Sequence, residues 1–321
     1  MTAISYHETV KDLQDLDWPE GDPFARREWF ELLEQAGHAA IYPTIRSDAA
    51  TLTLPLATDG QTWRSLTNWY AFTWAAAGDI ALLPPLAEAL RSRAHAIEFG
   101  KLPEQTALAM TSAFRMAGWY ANLSPCDINH VLRVEGRDYD AFLSQRPGLL
   151  RTTLTRKSGK LQTRISTQFS SDDWALYEAV YAASWKPQEG DPALLRRLAE
   201  NESAAGRYRL GIAEHDGTPV AAQFWTVDCG TAYIHKLAHR EAAKSLSPGT
   251  VLSAAMFRQS IDVDRVSMID FGTGDDAYKR DWMEEARIRW SVTCLDPAKW
   301  RNWPRIAKLR LRELVSRPAA G

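Results

Sequence analysis

The order of elements between residues 232 and 283 constrains the fold of this chain more than any other feature. Ala232-Tyr-Ile-His-Lys-Leu-Ala238 alternates like a half-buried strand. Lys244-Ser-Leu-Ser-Pro-Gly-Thr250 then leads into Val251 to Ile261, which has helical spacing. An apolar strand-like run, Val266 to Phe271, follows and opens into Gly272-Thr-Gly-Asp-Asp-Ala-Tyr-Lys-Arg-Asp-Trp-Met283. A Ser-Pro-Gly turn at a helix start leaves backbone N–H groups at the positive dipole end, a ready seat for an anion such as a pyrophosphate. The last segment crowds glycines, acids, a tyrosine and a lysine into one turn at a strand end, where a rigid sheet positions reactive side chains well.

Length and charge bound the rest. A chain of 321 residues is comfortable for two domains, and the pattern shift near residue 140 divides it into 1–140 and 141–321. Apolar content of 45% and charged content of 24% describe a globular protein. A net charge of −2 provides no global field towards nucleic acid. The odd set Cys126, Cys229 and Cys294 fits neither a disulfide framework nor a zinc pattern, so a reducing compartment and no metal are expected. The acidic stretch up to Pro23 is unlike a signal peptide, and Gly78-Asp79 and Pro84-Pro85 break the longest apolar run. A cytoplasmic protein is expected.

The pattern predicts a mixed α/β chain. Helices are expected over 24–37, 85–95, 105–118, 172–185 (capped by Ser170 or Ser171) and 193–205. Strands are expected over 41–45, 51–57, 63–73, 96–100 and 120–135, and again over 208–214 and 220–228, the last two joined by the hairpin signal His215-Asp-Gly-Thr-Pro219. Between them lies a basic segment with Arg146, Arg151, Arg156, Lys157, Lys160 and Arg164, either a phosphate contact or a solvated helix face.

Leu246-Ser-Pro-Gly249 with Leu252, and Asp270-Phe-Gly-x-Gly-Asp-Asp-x-Tyr-Lys279, resemble the GNAT superfamily of acyl-CoA-dependent acyltransferases, within it the cellulose-biosynthesis-associated (CelD-type) branch related to FemAB-like proteins. The similarity covers roughly residues 150 to 295. It implies two tandem GNAT-like domains, each a mixed, mostly antiparallel sheet flanked by helices, with donor chemistry in the second and an acceptor-shaping first. It also implies a strand that splays from its neighbour, with acyl-CoA in the splay. Lys236, Leu237 and Ala238 would line that cofactor site, their backbone N–H groups serving the oxyanion. Lys244, Ser247, Pro248, Gly249 and Thr250 would hold the pyrophosphate, with Lys279 nearby.

Acyl transfer to an amine needs the amine deprotonated, the oxyanion stabilised and the departing thiolate protonated. The resemblance assigns the last role to Tyr278. For the base, His235 ranks first, since its ordinary pKa near 6.5 suits neutral pH, and Asp276 second. Asp275 and Asp276 could equally cap the following helix or pair with Lys279 and Arg280. Asp270, inside a strand, needs a partner if buried, and His235 or Lys236 could supply it. Two rivals stand: a FemAB-type aminoacyl-tRNA-dependent transferase, and a degenerate GNAT scaffold in exopolysaccharide assembly. Finally, Lys299 to Gly321 carries Lys299, Arg301, Arg305, Lys308, Arg310, Arg312 and Arg317 beside Trp300 and Trp303. That is either a helix docked on its domain or, over residues 299–314, a peripheral membrane contact tied to lipid or envelope biosynthesis.

Overall fold

The computed structural model describes residues 2–315. The chain forms two compact units, 1–127 with 288–321, and 128–287. The first begins with β1 (Ala3–His7), α1 (Arg27–Gln35), β2 (Ala40–Arg46), β3 (Thr51–Thr53), β4 (Leu56–Asp59), β5 (Thr62–Ser65), β6 (Ala77–Gly78), α2 (Leu83–Leu90), β7 (Ala96–Leu102) and α3 (Glu104–Met116). β8 (Tyr120–Arg133) carries the chain across the 127/128 division.

The second unit continues with α4 (Tyr139–Ser144), α5 (Gly148–Lys157), β9 (Gln162–Ser166), α6 (Ser171–Ala182), α7 (Pro192–Ala204), β10 (Tyr208–His215), β11 (Thr218–Asp228), β12 (Thr231–His239), α8 (Pro248–Arg258), β13 (Met268–Thr273) and α9 (Ala277–Arg280). β14 (Glu285–Leu295) returns the chain to the first unit, which ends in α10 (Trp303–Val315).

Each unit is a mixed sheet flanked by helices. In the first the strands run β6-β3-β2-β4-β5-β7-β14, with β1 on β2; in the second they run β8-β13-β12-β11-β10-β9. Two-residue turns set the hairpins of the second unit. Asp216 and Gly217, at φ 48° and 73°, join β10 to β11, a positive-φ pair of the kind that matches the twist of the flanking strands. α6 starts as the sequence predicts, with Ser170 Oγ accepting from Asp173 N. It buries Trp174, Tyr177, Val180 and Tyr181, a contribution of roughly 1.5–3 kcal/mol for each large apolar side chain removed from water. On the other side, α8 packs Leu252, Met256 and Phe257 into a core where the Phe257 ring stacks 5.4 Å from Phe142 and 4.7 Å from Trp282.

One parallel pair in each unit bridges a crossover helix. β5 pairs with β7 over Thr62↔Ala96, Trp63↔Ile97 and Arg64↔Glu98. β12 pairs with β13 over Thr231↔Met268, Ala232↔Ile269 and Tyr233↔Asp270. Both ladders then stop. In the first unit the chain itself fills the gap beyond Ser65. Leu66, Ala71 and Trp74 are buried there, and Lys101 Nζ donates to the carbonyls of Asn68 at 2.9 Å and Ala71 at 2.5 Å. The strand predicted over 63–73 therefore ends at Ser65.

Most of the basic segment is solvated, with Arg151, Arg156 and Lys160 exposed, while two members make ion pairs. Arg146 is buried and pairs with Glu284, and Arg164 forms two bonds to Asp173. The division predicted near residue 140 lies within the second unit.

Candidate active site

The site is built on the parting of β12 and β13. Their ladder ends at Tyr233↔Asp270, whereas β12 runs on to His239 and β13 to Thr273. The two strands thus diverge over the stretch that carries Lys236, Leu237 and Ala238. Leu237 and Ala238 stay laddered on the other side, to Gln223 and Ala222 of β11, and both are buried.

A bulge lies at the start of the divergence. Phe224 pairs with Lys236 and Trp225 with Ile234, so His235 has no opposite number on β11. The extra residue leaves two successive side chains on the α6 side of the sheet. His235 stacks on Phe224 at 5.0 Å, and its Nε2 lies 2.7 Å from Thr226 Oγ1. Lys236 Nζ lies 5.7 Å over the Tyr181 ring and donates to Glu189 Oε1 at 2.9 Å. The Asp270 carboxylate accepts from Asn129 Nδ2 at 3.1 Å and from the Gly272 N–H at 2.7 Å. Asp270 thereby clamps the start of the 272–283 turn.

At the far end of β12 the chain enters a short 3-10 turn, Glu241–Leu246, and then Ser247 at φ 51°, ψ 47°. The Ser247 N–H donates back to the Lys244 carbonyl at 3.0 Å and Pro248 has none, so the anion seat at the positive end of the α8 dipole is made by the Gly249 and Thr250 N–H groups. Pro248 occupies the first helical position, where its missing N–H costs nothing. Gly249 and Thr250 are half-buried in the same first turn. A Cβ at Gly249 would come 3.2 Å from His239 Nδ1, so glycine here lets β12 approach the helix end. Gln223 Nε2 fastens that end to β11 through the Gly249 carbonyl at 3.2 Å and Ser253 Oγ at 2.8 Å. Lys157, from the basic segment, donates to the Ser245 carbonyl at 2.7 Å and Ser247 Oγ at 2.9 Å, bringing positive charge to the turn. Lys244 projects outwards, 74% exposed, and pairs with Glu241.

The turn after β13 separates its charged groups. Asp275 bonds to Arg280 and to His130 Nε2, which together hold its carboxyl below the usual range. Asp276 precedes α9 without a side-chain capping bond. Tyr278 is half-exposed, its ring 5.6 Å edge-on to Phe271. Burial of its hydroxyl end, and then Asp276, push the phenol well above its ordinary value, so it stays a proton donor at neutral pH. Lys279 points inwards: it is buried and donates to the Thr273 carbonyl at 2.5 Å, bracing the turn from within.

One residue the sequence did not single out joins the two arms of the wedge. Lys186, just past α6, feels the charges of Lys236 on β12, Glu189 on its own segment, and Asp276 and Lys279 beyond β13. Burial first, and then Lys236, lower its pKa to about 8. It borders a cavity of about 630 Å³ walled by Trp174, Tyr177, Tyr181 and Leu195, with Glu189 on the same side. Trp185 links this segment to β12, its ring 4.3 Å from that of His239. Only a break at Lys186-Pro187 was visible in sequence; its neighbours lie some fifty to ninety residues downstream. Among the described residues no group of three or more His, Cys, Asp or Glu side chains could hold a metal ion.

Comparisons with known proteins agree with this geometry. Residues 150–280 match the family described as acetyltransferase (GNAT) domain. No curated protein matches the chain. Among solved structures, FemX superposes with a TM-score of 0.64 at 10% identity, over 90% of this chain and 96% of its own. L-PGS from Bacillus licheniformis follows at 0.56 and 12%, over 92% and 98%. A tandem GNAT protein from the clavulanic acid biosynthesis pathway gives 0.50 and 13%, over 91% and 98%. Residues 150–280 are thus similar to a GNAT acetyltransferase domain, within a chain that shares the fold of FemX and of a tandem GNAT protein.

Proposed function

We propose that this protein transfers an acyl group from a CoA thioester to an amine. The observation that carries the proposal is the parting of β12 from β13 after three pairs, with the first turn of α8 at its open end. That spacing suits a pantetheine arm between the strands and a diphosphate on the first-turn amides of α8, with Lys157 adding a cation. Backbone N–H groups at Lys236 to Ala238 serve the oxyanion. The amine nitrogen attacks the thioester carbonyl, the N–C bond forms, the C–S bond breaks, and Tyr278 protonates the leaving thiolate. Of the two expected bases, the charge of Asp276 reaches Tyr278 and Lys186, whereas His235 Nε2 is engaged with Thr226. Asp276 therefore serves the acceptor side. Calorimetric titration with CoA and acetyl-CoA tests the proposal: saturable micromolar binding is expected, and its absence ends it.

A second reading has support from the solved neighbours, since FemX and L-PGS align along nearly the whole chain. In a FemAB-type transferase the donor would be an aminoacyl-tRNA. Binding of tRNA that falls steeply with salt, without CoA binding, would select it. Either donor allows an acceptor at a membrane surface. No helix among the described residues is long and apolar enough to cross a bilayer. In α10 and the turn before it, Ile306 packs inwards while Trp300 and Trp303 are 69% and 61% exposed beside Arg301 and Lys308. Exposed tryptophans among cations suit an anionic lipid interface. Arg317 lies outside the described residues. Equal sedimentation of wild type and the Trp300→Ser/Trp303→Ser variant with phosphatidylglycerol vesicles would rule this contact out.

A further inference from the structure

A cavity of about 750 Å³ lies between α5 and α8, on the flank of α8 that faces β9 and not the wedge. It begins at the anion seat. Lys157 of α5 donates to the Ser245 carbonyl and Ser247 Oγ at the start of α8, and the residues that follow the lysine and the seat, Ser158 and Val251, already line the cavity. From there it follows α8 past Ala254 and Ala255 to Arg258, a rise of about 10 Å. Leu143, Ala254 and Ala255 present partly exposed apolar surface over a floor of Leu154 and Leu161, and the short side chains on α8 leave the room. Charge at the rim is uneven. Arg258 lies 4.3 Å over the Tyr139 ring and pairs with Asp140 at 2.8 Å and Asp262 at 3.7 Å, so both acids there are answered. Arg151 is exposed, and its guanidinium makes no ion pair or ring contact among the described residues. An apolar cleft with a spare guanidinium and rim hydroxyls suits a flat heterocycle carrying a sugar and a phosphate.

We infer that this cavity receives the adenosine end of the donor and that Arg151 holds its 3′-phosphate. The inference rests on the acyl-transfer reading and extends it from the reacting arm to the nucleotide. A diphosphate on the Gly249 and Thr250 N–H groups joins two arms. Pantetheine enters the wedge, on the β13 side of α8. The nucleoside leaves on the opposite side, where the cleft between α5 and α8 starts beside Lys157. The base then lies against Ala254 and Ala255, the ribose meets the exposed Ser158 hydroxyl, and the 3′-phosphate meets Arg151. A guanidinium on a phosphate makes a charge-assisted, two-pronged contact, stronger than a neutral hydrogen bond. Arg151 is therefore a specificity residue: it separates a donor that carries the 3′-phosphate from the same thioester without it. Lys157, already committed to the turn, links the two subsites without belonging to the second.

The test is calorimetric titration of the full chain with CoA, dephospho-CoA and adenosine 3′,5′-bisphosphate. CoA should bind about tenfold more tightly than dephospho-CoA, and the bisphosphate should bind saturably and compete with CoA. Arg151→Met, at an exposed position outside the core, should bring CoA and dephospho-CoA within about twofold of each other. Ala254→Trp, which fills the cleft beside the seat, should weaken the bisphosphate about tenfold or more. CoA binding without preference over dephospho-CoA, or a preference that survives Arg151→Met, overturns the role of Arg151 and leaves the acyl-transfer reading standing. A bisphosphate that does not compete with CoA, or one whose affinity is undiminished in Ala254→Trp, overturns the cavity assignment on the same terms. Absence of binding by every CoA species takes down the acyl-transfer reading and this inference together.

Discussion

Replacing Lys236 by Met should destabilise the second unit, because it removes the ammonium group that the nearly buried Glu189 carboxylate holds. The side chains of Lys236 and Glu189 are 11% and 10% exposed, with 2.9 Å between Nζ and Oε1. Removing one partner of a buried pair costs about 3–5 kcal/mol, chiefly through the charge left behind. The adjoining cavity lets water relieve part of that cost, so the lower end, about 3 kcal/mol, is expected. For a unit spanning 128–287, that corresponds to a fall in Tm of about 6–12 °C. Differential scanning calorimetry, reading the transition of this unit, supplies the measurement. Glu189→Gln introduced into the Lys236→Met background should recover part of the loss, since it removes the carboxylate charge that Lys236 balanced. A single-variant loss under about 1 kcal/mol, or a double variant no more stable than the single, would refute the claim that this pair is a desolvated strut.

Other outcomes follow from the same geometry. Tyr278→Phe removes the proposed donor to the thiolate and should lower kcat by about 10²–10⁴ with the CoA dissociation constant nearly unchanged; equal kcat values would clear the residue of that role. Arg280→Met removes the first support of the depressed Asp275 pKa. A carboxylate depressed in the folded state stabilises above its unfolded pKa, and that contribution disappears as pH falls through the folded value. The Tm difference between wild type and Arg280→Met should therefore be full near neutrality and vanish in strong acid; a difference that grows on acidification would contradict the assignment.

Much of the second unit was legible because its signals are local. Asp216-Gly217 dictates a hairpin, Ser170 caps α6, and the alternation of 232–238 followed by Ser247-Pro248-Gly249 announces a strand, a turn and a helix. The division between units was not legible. It falls inside β8 and again at β14, where one uninterrupted strand leaves no linker composition to read. The roles of the charged residues needed distance. Asp275 and Asp276 are neighbours in sequence, yet only Asp275 meets His130, which lies 145 positions away. Lys279, expected near the donor or paired with Asp275 or Asp276, is a buried brace, because the Gly272 and Thr273 carbonyls turn towards it. Lys186 carried no motif at all.

The Lys101 tether in the first unit has a consequence for stoichiometry. A chain built from two similar halves invites the expectation of two equivalents of donor per polypeptide. With residues 66–74 knotted into one crevice by Lys101 and the Ser65–Gly100 bond, that half has become its own permanent occupant. A saturating CoA titration should accordingly plateau at a single equivalent, leaving the sealed half free to drift in sequence wherever its fold allows.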